Sequence, residues 1–507
     1  MFHTIVFDDE ITLWWDKTEF VNNADKYILY LNGVRHGETE KTHYSFFHLA
    51  PNRKYFVCIE AYHAGALALK KEYEICTKNK KNRIDVTKPP YCAVGDGKTL
   101  CTAALQRALD DCTPNACVYV PKGTYLTGAL TVHSDTQLYV DEGAFVCGSE
   151  RSEDYLPKIK SRFEGLECLC YRSLLNLGEL DRNDYEGNCR NVVIRGKGAI
   201  LGGGKALADS IVKRERALLN EYLQKNDAYV QTCENADTIP GRARGRLIQA
   251  CNCHNVIIGG LTLGYAAAWN LHFIYSKNIV TYGCTIRSNT RYDERGEVER
   301  EGVWNGDGWD PDSSENCVLF DTVFETKDDC IAIKSGKNPE GNVVNRPTKN
   351  VFIFDCTTLA GYGCNIGSEM SGGVENVHIW DCDFTRPLYG VQIKANPKRG
   401  GYVRNVRVTG GKLSCFFARR VTTNNDGEAA KTLPVLSNYV LDGVTLTGNP
   451  AAHEYHLYFQ GFDKEHVVSD VLVKDCTFLN LHEENGIFLD EIKDFRLENA
   501  RYIRTKA

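Results

Sequence analysis

The chain has 507 residues, 43% of them hydrophobic and 25% charged, with a formal net charge of −6. That is enough chain for more than one domain and a sizeable core. The mild acidity argues against a nucleic-acid partner, which favours a basic face, and no run approaches the ~20 apolar residues of a membrane span. The opening, MFHTIVFDDE, shows no basic segment followed by an apolar run, so no secretory signal is read and the expected compartment is the cytoplasm. The 21 cysteines are then expected to be reduced and mostly buried.

Short alternating runs come first in the chain. Ile11 to Trp15 is one. Tyr27 to Leu31 is another, closed by Asn32-Gly33, and Tyr55 to Ala61 follows the turn at Pro51-Asn52. Short strands with regular turns predict a β-sandwich. With a Trp on an early strand and a Tyr after a Pro-containing turn, this stretch resembles a fibronectin type III domain. Lys78 to Asn82 reads as a linker, which divides the chain into residues 1–82 and 83–507. After it, Gly95 to Thr99 precedes an amphipathic segment, Thr102 to Asp111, that predicts a short helix. Ala116 to Leu130 and Asn191 to Gly204 read as short strands between glycine turns.

From Asn255 a unit repeats. An Asn or Asp opens an alternating strand, and a second short apolar segment follows. The starts are Asn255, Asn278, Asn316, Asn350, Asn376, Asn405, Asn438 and Asp470. Irregular periods of this size without long helices predict an all-β solenoid, a right-handed parallel β-helix whose stacked turns bury a continuous core. Cys284, Cys317, Cys356, Cys382 and Cys476 fall inside the repeats and read as an internal ladder of small side chains. No Cys-x-x-Cys pair accompanies them as a metal site would require.

Asp307 lies in NGDGWDPDSSENC, and Asp328-Asp329 in KDDCIAIKSG. The steps Asp307 to Asp328, Asp328 to Tyr362 and Tyr362 to Lys394 are 21, 34 and 32 residues. Each is about one turn of the coil, so these positions are expected on one face. Clustered carboxyls suit glycosidic cleavage, in which one gives a proton and another activates water. Neighbours on a regular strand point to opposite faces, so Asp328 and Asp329 serve together only if the backbone bends. Asp307, Asp310 and Asp312 also suit a cation, which leaves a Ca²⁺-dependent lyase as a rival.

At these residues the chain, from about Ile84 onward, resembles glycoside hydrolase family 28, the polygalacturonases, in their bacterial exo-acting form. Asn305-Gly306-Asp307 is similar to the family's Asn-Thr-Asp, Asp328-Asp329 to its paired aspartates, and Ile366 to Gly373 to a stretch of the exo-acting members. The resemblance implies an inverting exo-hydrolase of galacturonate oligosaccharides, with Asp328 as proton donor and Asp307 and Asp329 activating water. Asn305, Asp310, Tyr362, Glu369, Gln392 and Lys394 are the implied substrate contacts. No cofactor, metal or membrane is implied, and an oligosaccharide is the expected partner. Two positions depart from the family: Tyr362 replaces a His, and Gln392 replaces the Arg of Arg-x-Lys. They leave open a neutral or substituted terminal sugar, with Lys394, Lys398 or Arg399 as the cations for a uronate. Inversion leads to an expected carboxyl separation of about 6.5–9.5 Å. The charged run Ser288 to Gly302 is expected to wall one end of the cleft. On this reading Gln392→Arg favours uronate-terminated substrates.

Overall fold

The computed structural model describes residues 2–20, 24–293, 295, 297–449, 451–480 and 486–504. The chain forms two compact units, Met1–Arg83 and Ile84–Ala507. In the first, Glu10–Trp15 lies between Phe2–Val6 and His43–Phe47 in an antiparallel sheet. A second antiparallel sheet orders Val34–Thr39, Lys26–Leu31, Lys54–His63 and Ala66–Cys76. Ile11, Leu13, Trp15, Tyr27, Leu29, Val57 and Ile59 share one buried cluster. The unit is a β-sandwich. Asn32 and Gly33 both have positive φ, as the tight turn of a two-residue hairpin requires.

The second unit is a right-handed parallel β-helix of three sheets, with 13, 13 and 11 strands among the described residues. The predicted helix is present as Thr102–Asp110, and it buries Leu105, Ala108 and Leu109. Its Gln106 side chain hydrogen-bonds the Thr131 backbone N–H and carbonyl at 2.8 and 3.1 Å, covering the edge strand Leu130–Val132.

The repeating Asn has a structural cause. Asn191, Asn255, Asn278, Asn316, Asn350, Asn376, Asn405 and Asn438 all adopt φ between 56 and 61°, a left-handed corner that Asn tolerates better than most residues. Each later amide donates to the Oδ1 of the one before it, at 2.8–3.1 Å. The column sets the register of the next residues. Val256, Ile279, Cys317, Val351, Val377 and Val406 stack inward, one per rung, and all are buried. A slip by one residue would turn that row out.

The cysteine ladder is confirmed for four of the five residues. Cys284, Cys356, Cys382 and Cys476 each precede a paired Thr or Asp in one column, which Thr322 and Val444 continue. Cys317 belongs instead to the valine row. All 21 cysteines are free thiols.

Two of the insertions that interrupt the coil matter for the site. One is the antiparallel hairpin Ile159–Phe163 with Leu166–Cys170. The other is helical, beginning with Gly204–Leu218 and ending with Thr238–Gly241. Asn350→Ala is expected to cost ~2 kcal/mol, through two lost amide bonds and a strained left-handed Ala. Asn350→Gly, which accepts the backbone angle, should cost less. Melting temperatures of the two variants check this.

Candidate active site

The site lies on the outer face of the 11-stranded sheet. Trp309, Ile331, Ile333, Cys364, Ile366, Val391 and Ile393 point into the core. The alternate residues, among them Asp310, Lys334, Asn365, Gln392 and Lys394, point outward. Asp307, Asp328-Asp329 and Tyr362 occupy irregular segments just before these strands. The bend at Lys327-Asp328 removes the strand alternation and lets both aspartates face the same way. Gly308 and Trp309 donate to the Asp329 and Cys330 carbonyls at 2.9 and 3.1 Å, which sets Asp307 beside the pair.

One oxygen from each of Asp307, Asp328 and Asp329 lies within 4.8 Å of the others. These nearest oxygens approach more closely than the expected carboxyl separation of about 6.5–9.5 Å.

The expected rung order also changes at one step. Leu388 N–H donates to the Gly361 carbonyl at 3.0 Å, so Tyr389 follows Tyr362. Lys394 pairs with Gly367 at the other end of its strand. Gly363 permits the close approach: a Cβ there would lie 1.8 Å from the Tyr389 carbonyl. Gly306, in place of the family Thr, is equally confined, with the Val303 carbonyl 2.8 Å from a Cβ.

The carboxyls differ in their partners. Asp329 meets donors, Lys394 Nζ at 2.7 Å and Asn365 Nδ2 at 2.6 Å, the setting of a carboxylate. Among the described residues, Asp328 accepts only the backbone N–H groups of Asn305 and Asp329, at 3.1 and 2.9 Å. Burial first, and then the Asp329 charge, raise its carboxyl above the usual range, with Lys394 opposing. Lys334 stands 3.1, 3.5 and 3.7 Å from Asp307, Asp310 and Glu369. Its ammonium sits among carboxylates that would otherwise suit a metal cation. Burial raises Asp307 well above its ordinary value against Lys334, and Asp310 to about 7. Glu369 is held low: burial works against it, but Lys334, Arg399, Lys337 and Lys394 prevail. Burial and the two aspartates raise the Tyr362 phenol, so it stays neutral.

The cleft encloses about 420 Å³, within the range of small-ligand sites, and Asn305, Asp307, Asp328, Asp329, Tyr362, Glu369, Gln392 and Lys394 line it. Asp310 does not. It is fully buried beneath Lys334, because its rung neighbours and that lysine cover it. Lys398 and Arg399 are also absent from the lining. Lys398 donates to the Asn425 and Gly427 carbonyls, and buried Arg399 is taken by Ser368, Asn338 and Asn424.

The wall is not the 288–302 run. Arg291–Tyr292 and Val298–Arg300 pair as a small hairpin, and none of the run's described residues lines the cleft. Glu294 and Gly296 lie outside the described residues. Instead the cleft is lined on this side by Glu164 on the hairpin, Glu234, Asn235 and Thr238 of the helical insertion, and Thr423-Asn424. Asp426 ties these together. It takes Arg242 at 2.8 Å, the Tyr229 hydroxyl at 3.0 Å, and Lys337, while Arg242 also takes Glu164 at 2.8 Å. The sequence pattern missed these residues because insertions carry no rung period. The amphipathic run of the helix from Lys205 was the one available signal.

Residues 187–415 match the model of glycosyl hydrolases family 28, and residues 89–144 match rhamnogalacturonase A/epimerase, pectate lyase-like. The chain is 27% identical to an exo-poly-α-D-galacturonosidase of Dickeya chrysanthemi, over 94% of this chain and 81% of that one.

The chain is a glycosidase, and its residues 187–415 are similar to family 28.

A second relative of this glycosidase, a probable polygalacturonase of Vitis vinifera, is 30% identical over 68% of this chain and 65% of its own length. Solved structures share the fold. The family 28 exopolygalacturonase of Yersinia enterocolitica superposes with a TM-score of 0.75 at 20% identity, over 100% of this chain and 99% of that one. A hyperthermoactive exopolygalacturonase of Thermotoga maritima gives 0.65 at 22%, over 83% and 91%.

Asp310 binds its proton more tightly folded than unfolded. Its stabilisation is therefore full below about pH 4 and is lost as pH rises through about 7. Asp310→Asn should flatten that fall and leave the variant more stable at pH 8, by on the order of 3 kcal/mol. Thermal unfolding from pH 4 to 8 tests it.

Proposed function

We propose that this glycosidase is an exo-acting, inverting hydrolase that removes terminal galacturonate from pectin-derived oligosaccharides. The observation that carries the reading is a walled cleft holding two adjacent carboxyls in opposite environments. Asp328, raised by burial and by its neighbour, is the proton donor. Asp329, held by Lys394 and Asn365, activates water together with Asp307. The Asp328 proton passes to the glycosidic oxygen as its bond to the anomeric carbon breaks. Water, held by Asp307, adds to that carbon and leaves its proton on Asp329. Asn305, Tyr362 and Glu369, all in the lining, contact the sugar.

The wall supports exo action, since a pocket closed by insertions admits a chain end more readily than the middle of a polymer. The names of the Dickeya and Yersinia proteins agree with this. The N-terminal sandwich is read as a fibronectin type III-like domain. A cytoplasmic location is part of the proposal, supported by 21 free thiols, and suits short imported oligosaccharides.

Oligogalacturonides of defined length should yield free galacturonate and a chain shortened by one unit. Early products of mixed length would overturn exo action, and a chelator-sensitive unsaturated uronate would indicate a lyase. Proton NMR of the first product should show the anomer opposite to the bond cleaved; the same anomer would rule out inversion. Asp328→Asn should lower kcat by about 10²–10⁴. Activity should fall as pH rises through the raised Asp328 value. Lys394→Met, which removes the cation opposing that rise, should move the alkaline limb of kcat/KM to higher pH.

A further inference from the structure

Gln392, where the family resemblance places an arginine, is occupied with another arginine. Its amide is satisfied in one orientation. The oxygen accepts from Arg419 Nε and Nη2 at 2.7 and 2.8 Å, and the nitrogen donates to Asn365 Oδ1 at 3.0 Å. Asn365 in turn donates to Asp329. Two amides thus link four successive rungs, from Asp329 through Asn365 and Gln392 to the Arg419 guanidinium. Arg419 lies on the next rung, opposite Lys394, and points outward because Phe416 and Ala418 on its strand belong to the core. Its Nη2 also donates to the Tyr389 hydroxyl at 3.0 Å. It lines the cleft.

The other cleft cations are committed. Lys334 serves Asp307, Asp310 and Glu369, and Lys394 serves Asp329. Arg419 holds only neutral acceptors, and among the described residues no carboxylate pairs with it. Such a guanidinium is oriented without being neutralised, and keeps its charge for an incoming anion.

We infer that Arg419 binds the substrate carboxylate and so selects a uronate, with Gln392 as the residue that positions it. The arginine expected at 392 is supplied from one rung further along. This deepens the galacturonate reading and rests on it. It also reverses the expectation for Gln392→Arg. A second guanidinium at 392 would meet Arg419 at hydrogen-bonding distance, repel it and remove its acceptor, so this variant should lose preference for the acidic substrate.

The test compares kcat/KM on an oligogalacturonide and on the same oligosaccharide with its carboxyls methyl-esterified. Arg419→Gln should lower the value on the acidic substrate about 10- to 100-fold, the range of a charge-assisted hydrogen bond, with most of the loss in KM. Its effect on the ester should be several-fold smaller, so that the preference collapses. Gln392→Ala should move in the same direction, and the double variant should be no worse than Arg419→Gln alone, as expected when one residue acts through the other. Equal losses on both substrates, or an unchanged preference, would overturn the role of Arg419. A wild-type protein that cleaves the ester and leaves the acid untouched would overturn the galacturonate reading itself.

Discussion

The register of stacked rungs is the constraint on which the structure depends. A parallel coil has no hairpins to fix which residue faces inward, so something must locate each rung on the last. Here the asparagine column does so, at a corner where the chain turns left-handed. Once that corner is set, strand alternation decides the rest. Apolar residues go in, and the outer face of the 11-stranded sheet is left with polar side chains spaced by the rise of a rung.

The active site inherits this spacing. Three aspartates on neighbouring rungs are brought within 4.8 Å of one another, and such crowding of buried carboxyls is tolerable only with compensating charge. Lys334 and Lys394 supply it from the same outer row. The two lysines also differentiate the acids, since Asp329 is held by an ammonium and Asp328, among the described residues, by backbone N–H groups alone.

What was legible in the sequence followed periodicity. The repeat, its core residues and the meeting of Asp307, Asp328 and Asp329 could be read because each recurs at rung intervals. Three features could not. The carboxyl separation depends on where each side chain leaves its rung. The wall comes from insertions that obey no period, so a charged run beside the motif drew attention that belonged to residues 234–238. Arg419 lies one rung beyond the motif that resembles the family, where spacing names no partner. Asp310 was legible as an acid near the site, but not as one covered by Lys334.

The asparagine column has a direction. Every amide donates toward the N-terminal end, from Asn438 down to Asn191. Eight side-chain dipoles therefore align along the solenoid axis, as peptide dipoles do along an α-helix, and each polarises the next. Their positive end emerges at Asn191, whose amide donates to the Asp135 carboxylate at 2.9 Å. The solenoid thus carries an anion where its side-chain dipole begins, as a helix does at its N-terminus.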